Sequence, residues 1–353
     1  MTGTSEGDGL AGSLPPGTRN AVGPHAAIVG IARTVLLAEE AALFRAFPPA
    51  GVILFARNIQ DRAQLAELVA SLRRVLPEHA DLMVDQEGGR VARLRPPHWR
   101  AHPPAATIGG LFETDPAAAL RSAWLTGALI GCDCRAAGFT IAAAPVLDVA
   151  IPGAHDVIGD RAFAQHPVAV ARLGRAVANG LLAAGVLPVG KHAPGHGRSR
   201  VDSHLLLPTV AESDLSADIR PFALNADLPW MMTAHIVYDA LDPHLPATLS
   251  AAVIADVIRG RIGFEGVLVT DDLAMKALSG APADLAVQAL AAGCDIALYC
   301  SGDFGATEAL LRVCPKLTPE AERRLRAGRH EAASRRMALD PGRLAAERAR
   351  LLS

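Results

Sequence analysis

The apolar run Gly185-Val186-Leu187-Pro188-Val189 opens, through Gly190, into Lys191-His192-Ala193-Pro194-Gly195-His196-Gly197-Arg198-Ser199-Arg200-Val201-Asp202-Ser203-His204. The first part has the length and composition of a buried strand. The second gathers three histidines, an aspartate and three cations, and Pro194, Gly195 and Gly197 make it a loop. A titratable loop leaving the C-terminal end of a buried strand is where α/β proteins put chemistry. The rest of the chain is therefore read for what else points at this loop.

Outward from it, strand-length apolar runs alternate with helical stretches. They are Ala26 to Ile31, Gly51 to Phe55, Asp81 to Asp85, Phe139 to Ala143, Val186 to Val189, Trp230 to His235, Gly266 to Asp271 and Asp295 to Tyr299. Helical patterns follow each: Glu39 to Phe44, Asp61 to Leu76, about Asp115 to Ala137 after a long loop, His166 to Ala184, Ser213 to Leu224, Ala251 to Arg261, Asp284 to Ala292 and Phe304 to Val313. Eight such pairs predict an α/β fold, a single-domain (β/α)8 TIM-type barrel over residues 25–316. A doubly wound open sheet is the alternative, but no Gly-x-Gly-x-x-Gly turn follows the first strand. Residues 1–24, rich in Gly, Ser, Thr and Pro, read as a disordered tail, and residues 317–353 as C-terminal helices packed on the barrel's side.

The 353-residue chain is half apolar and carries a net charge of -2, which gives no electrostatic reason to expect nucleic acid or an anionic membrane as partner. No run approaches the length of a membrane-spanning helix and no secretory signal is legible, so a cytoplasmic protein is expected. Cys132, Cys134, Cys294, Cys300 and Cys314 are odd in number and mostly sit in apolar or helical segments, which predicts buried thiols rather than disulfides.

Polar residues collect at the predicted strand ends: Asp85 with Gln86 to Arg90, Asp148, Lys191 with His192, His235, and Asp271 with Asp272. Each has a bland reading as well, Asp272 as a helix cap, His235 as a core histidine and Arg90 as a solvated charge. Together at one face they predict a site. A phosphate cradle is absent, and no Gly-x-Ser-x-Gly elbow follows a strand. His192 and His196 are four apart, but Pro194 and Gly195 deny them a shared helical face, which argues against a metal site. Carboxylates facing a loop with Asp and His suit acetal hydrolysis, in which one carboxylate attacks or stabilises a cationic carbon and a second group handles the leaving-group proton.

In order along the chain, Gly51 to Asn58 (GVILFARN), Asp85 to Arg93 (DQEGGRVAR), Pro145 to Asp148 (PVLD), Arg161 to Phe163 (RAF), Lys191 to Gly197 (KHAPGHG), Val201 to His204 (VDSH), Met232 to His235 (MTAH) and Thr270 to Met275 (TDDLAM) resemble the motifs of family 3 glycoside hydrolases. The branch they look like is the bacterial cytoplasmic β-N-acetylglucosaminidase of peptidoglycan recycling. That resemblance implies a retaining exo-β-N-acetylglucosaminidase that releases terminal GlcNAc from muropeptides and needs no cofactor or metal. It implies Asp271 as nucleophile, His204 as acid/base with Asp202 as its partner, and Asp85, Arg93, Arg161, Lys191 and His192 as sugar contacts. A β-glucosidase or a phosphorylase on the same barrel is the alternative, and a non-catalytic sugar-binding barrel a remoter one.

The chain departs from many members at Arg198-Ser199, where Asp-Thr is common, and at Ala193, where an aromatic is. Arg198 and Arg200 are read either as partners for an anionic substrate group or as solvated cations. Gly195 and Gly197 are expected to act as hinges for an arm that carries Asp202 and His204 over the bound sugar.

Overall fold

The computed structural model describes residues 23–199 and 206–353. The expected tail, except Gly23 and Pro24, and the expected Asp202 and His204 lie outside the described residues, as does Arg200.

Among the described residues ten strands are formed: β1 His25–Gly30, β2 Pro49–Leu54, β3 Asp81–Val84, β4 Ile141–Ala142, β5 Leu187–Ala193, β6 Thr209–Val210, β7 Trp230–Thr233, β8 Val237–Tyr238, β9 Val267–Val269 and β10 Ala297–Tyr299. Eight of them pair in parallel in the order β10-β1-β2-β3-β4-β5-β7-β9, and a parallel bridge from Val269 to Ile296 closes the ring. This is the predicted (β/α)8 barrel. β6 and β8 form a separate two-stranded ribbon above it.

The barrel strands are buried on both faces, which is why they read largely as apolar runs. Alternate residues divide between two cores: Ile28, Ile53, Met83, Ile141 and Leu298 fill the barrel, while Val29, Val52, Leu54, Leu82 and Val84 pack on the helices. The helices are α1 Ala38–Ala46, α2 Arg62–Arg73, α3 Ala105–Thr114, α4 Pro116–Ala136, α5 Pro167–Ala183, α6 Ser216–Ala223, α7 Pro282–Ala292, α8 Phe304–Val313, α9 Pro319–Ser334 and α10 Pro341–Leu352, with a π-type turn over Val253–Arg261. Their starts follow local chemistry. Asp61, Asp115, Asp303, Thr318 and Asp340 each accept a backbone amide of the first turn. Pro116, Pro319 and Pro341 occupy positions where the missing N–H costs nothing.

Besides the β6–β8 ribbon, which was not among the expected strands, two regions depart from the sequence expectation. The long loop before α4 contains helix α3, whose Gly109 lies against the backbone of Phe163: a Cβ there would come within 1.6 Å of the Phe163 carbonyl oxygen. The C-terminal helices do not both lie on the barrel's side. α9 closes its lower end, with Leu325 and Ala332 joining the barrel-interior core and Arg324 and Arg329 reaching Asp295 and Asp81 at the strand starts. α10 packs on α4 through Leu344 against Leu125 and Leu129.

Candidate active site

The upper, C-terminal ends of the strands surround a cavity of about 540 Å³, lined among others by Asp85, Arg93, Arg161, Lys191, His192 and Asp271. The structure thus brings six of the eight expected site residues to one pocket. β5 bulges against β7 between Lys191 and Ala193, and the two consecutive side chains Lys191 and His192 both reach the cavity.

Asp85, past the end of β3, accepts Lys191 Nζ at 2.7 Å on one oxygen and Arg93 Nη2 at 2.8 Å on the other. Each oxygen keeps lone-pair capacity, so the carboxylate can accept from two neighbouring hydroxyls. Lys191 Nζ also lies 2.5 Å from Glu87, whose two oxygens take a forked pair of 2.8 Å bonds from Arg161. Burial alone would raise the Glu87 pKa, but Arg161 and Lys191 hold it well below the ordinary carboxylate range. Burial likewise opposes the charge on Lys191, and Asp85 and Glu87 more than offset it.

His192 is oriented by Asp148, which accepts a hydrogen bond from Nδ1–H at 2.7 Å and also accepts the backbone amides of His192 and His196. His192 Nε2 is then left toward Arg161 Nη2, 3.4 Å away. The His196 ring stands edge-on to His192 at 5.5 Å and is pushed by burial, with His192 assisting, down to a pKa of about 4. The His192–His196 spacing that argued against a metal from the sequence does bring the rings together, yet no cluster of three or more metal-ligating side chains exists among the described residues.

Asp271 and Asp272 follow β9 and divide their work. Asp272 uses one carboxylate oxygen to accept the amides of Ala274 and Cys300, both at 2.9 Å, so it fastens the turn to the end of β10. Asp271 faces the cavity and accepts the Asp272 amide at 2.8 Å. Burial pushes its pKa up, but His192, His235, that amide and Lys191 bring it down to about 2. The result is a carboxylate ionised at neutral pH and set among positive groups.

Glu87 and Asp148 were in view in the sequence as part of a motif or at a strand end, without a role. Glu87 had a readable signal: two residues after Asp85 in extended chain, it points the same way. The partnership of Asp148 with His192 joins residues 44 positions apart, and only the fold reveals it.

Three expectations about the 193–199 segment change. Arg198 is not free for an anionic ligand: its Nε donates to Asp218 at 2.8 Å, and Glu212 lies 4.0 Å from Nη1. Gly195 and Gly197, expected as hinges, are sites of close approach: a Cβ on Gly197 would come within 1.9 Å of Val149 O and one on Gly195 within 2.8 Å of Asp218 Cβ. The segment is also tied down, by Tyr238 Oη donating to Gly195 O at 2.6 Å and by the His155 amide donating to Ser199 O at 2.8 Å.

The fold and the site define a (β/α)8-barrel enzyme with an ionised carboxylate at the floor of a polar pocket. Residues 36–329 match the model of the glycosyl hydrolase family 3 N terminal domain. The chain is 39% identical over 299 residues to a β-hexosaminidase of Aromatoleum aromaticum, with 82% of each chain covered. It is 41% identical over 305 residues to a β-hexosaminidase of Alkalilimnicola ehrlichii, covering 84% of this chain and 86% of that one. Among solved structures it resembles NagZ from Neisseria gonorrhoeae in complex with N-trifluoroacetyl-D-glucosamine, with a TM-score of 0.83, 30% identity, and 94% of this chain and 99% of that chain covered. The chain belongs to glycosyl hydrolase family 3.

Proposed function

We propose that this protein is a retaining exo-β-N-acetylglucosaminidase that removes terminal β-1,4-linked GlcNAc from muropeptides in the cytoplasm, without a metal or nucleotide cofactor. Its family and its similarity to β-hexosaminidases make it a glycoside hydrolase of the β-N-acetylhexosaminidase type acting on a sugar substrate. The observation that carries the mechanism is the unequal use of the paired aspartates. Asp272 is spent on backbone amides, while Asp271 is ionised and faces the cavity.

In the first step Asp271 attacks the anomeric carbon as the bond to the aglycone oxygen breaks, and that oxygen takes a proton from His204. A glycosyl ester on Asp271 results. Water, deprotonated by His204, then attacks the same carbon and releases the sugar with its β configuration. Asp202 orients the His204 ring and supports its cationic form. A histidine suits this exchange because its unperturbed pKa of ~6.5 lies near neutrality.

Two other groups near the pocket are poor acids at that pH. His196 is pushed down to about 4, and Glu87 is held ionised by Arg161 and Lys191. Asp85, Arg93, Arg161, Lys191 and His192 bind the GlcNAc hydroxyls and acetamido group, and a sugar lacking a partner group leaves a buried polar atom unpaired. Among the described residues no helix is long and apolar enough to cross a membrane.

The test compares aryl β-GlcNAc substrates of graded leaving-group ability. Asp271→Asn should lose about 10⁴-fold or more in kcat on all of them, as removal of a reacting group does. His204→Ala should lose far more on poor leaving groups than on good ones. Wild-type-like turnover by Asp271→Asn, or a uniform loss in His204→Ala, would sink the respective assignment.

A further inference from the structure

His235 stands just past β7, fully buried, behind the pocket wall rather than lining it. Its Nε2 lies 3.0 Å from the backbone oxygen of Asp272, and its Nδ1 lies 2.7 Å from Thr248 Oγ1. A carbonyl oxygen can only accept, so Nε2 carries a proton. Burial lowers the His235 pKa, which favours the neutral ring and leaves Nδ1 bare. Thr248 Oγ1 also donates to Ala234 O at 3.0 Å, and the shorter contact at Nδ1 shares that proton, so the Thr248 hydroxyl is the donor that faces the bare nitrogen. Thr233 Oγ1, 2.8 Å away, can donate to Thr248 in turn.

Asp272 is consequently held at three points. Its carboxylate is fixed by the Ala274 and Cys300 amides, its amide donates to Asp271, and its carbonyl receives His235. Of these, the His235 contact alone comes from β7, the strand beside β9 in the barrel wall. It fixes the plane of the peptide that follows Asp272 and so the direction in which the Asp271–Asp272 turn presents its amide. With that amide on one Asp271 oxygen, the other oxygen is left for the substrate.

We propose that His235 is a positioning residue for the Asp271 carboxylate, acting through the Asp272 backbone, with the Thr248 hydroxyl setting its tautomer. The inference rests on Asp271 being the nucleophile. The groups that face Asp271 from other elements are Lys191 and His192 on β5, His196 after it, Asp85 after β3, and Cys300 after β10. None of these is altered in the variants below, so a change in the titration of Asp271 reports on His235.

The experiment measures single-turnover glycosylation and the pH profile of kcat/KM on an aryl β-GlcNAc for His235→Asn, His235→Gln and Thr248→Val, with Tm recorded for each. Gln can place its amide nitrogen near the Nε2 position and Asn cannot. His235→Asn should lose about 10²-fold in glycosylation, the scale of a misplaced reacting group. Its acid limb should move to higher pH, because the Asp272 amide, no longer held in place, stabilises the ionised Asp271 less well. His235→Gln should recover most of the rate, and Thr248→Val, nearly isosteric, should show the same direction of change in smaller measure.

Asn and Gln variants that match each other in rate and acid limb would overturn the proposal, as would losses that merely follow Tm. If His235→Asn fails to fold, Thr248→Val carries the test, and an unchanged rate and acid limb in it overturns the tautomer arrangement and the positioning role with it. Failure of the underlying reading looks different: Asp271→Asn would then turn over like the wild type whatever the His235 variants do.

Discussion

Glu87 ties together two buried cations beside the pocket. Arg161 forks onto both of its oxygens and Lys191 Nζ sits 2.5 Å from one. Glu87→Ala leaves both cations partly uncompensated, and breaking a buried pair in this way costs about 3–5 kcal/mol. A urea titration of the variant at neutral pH should show a loss of that order. The pH dependence has a definite sign. Glu87's pKa is depressed on folding from an ordinary 4.5, so its contribution is fully present above that value and drains away as pH falls below it. The wild type should therefore lose stability below about pH 4.5 more steeply than Glu87→Ala. Equal slopes for the two proteins would show that the triad does not stabilise the fold through charge. The direction of this side chain was legible in the sequence, but its partners were not. Asp85-Gln86-Glu87 displays the two carboxylates, but which cation each meets depends on β5 and on the Arg161 loop, distant in the chain.

At the scale of elements, α3 and the segment from Ala193 to Ser199 depend on glycines whose purpose is spatial. Gly109 and Gly110 weaken the helical signal of residues 105–114, and a helix forms there because Gly109 lets it press on Phe163, two residues beyond Arg161. Gly109→Ala puts a methyl group into the Phe163 carbonyl. The expected cost is about 1–3 kcal/mol, as for other overpacked sites, read as a lower Tm. Because the displaced strip carries Arg161, KM for a GlcNAc substrate should rise as well. An unchanged Tm together with an unchanged KM would mean that α3 does not brace the Arg161 loop. Gly195 and Gly197 teach the same lesson from the other direction. Read in sequence they suggest freedom of movement, but both sit against packed neighbours, and composition alone does not distinguish a hinge from a close approach.

For the molecule as a whole, the barrel was legible because parallel strands buried on both faces write themselves as apolar runs, and eight of them alternate with helices. The lower end was less so. The pattern of α9 identifies a face to be buried but not its destination, and the salt bridges of Arg324 with Asp295 and Arg329 with Asp81 are what direct it under the barrel. The upper face was legible as a set of polar strand ends, and the structure adds the division between Asp271 and Asp272. That division is the central claim, and mass spectrometry of a trapped intermediate tests it most directly. The enzyme is incubated with a 5-fluoro-N-acetylglucosaminyl fluoride, which slows release of the sugar from the enzyme, and digested. One added glycosyl residue, in ester linkage to Asp271, is expected; a label on Asp272, Asp85 or another carboxylate, or release of the inverted α-anomer with no label at all, would contradict the division.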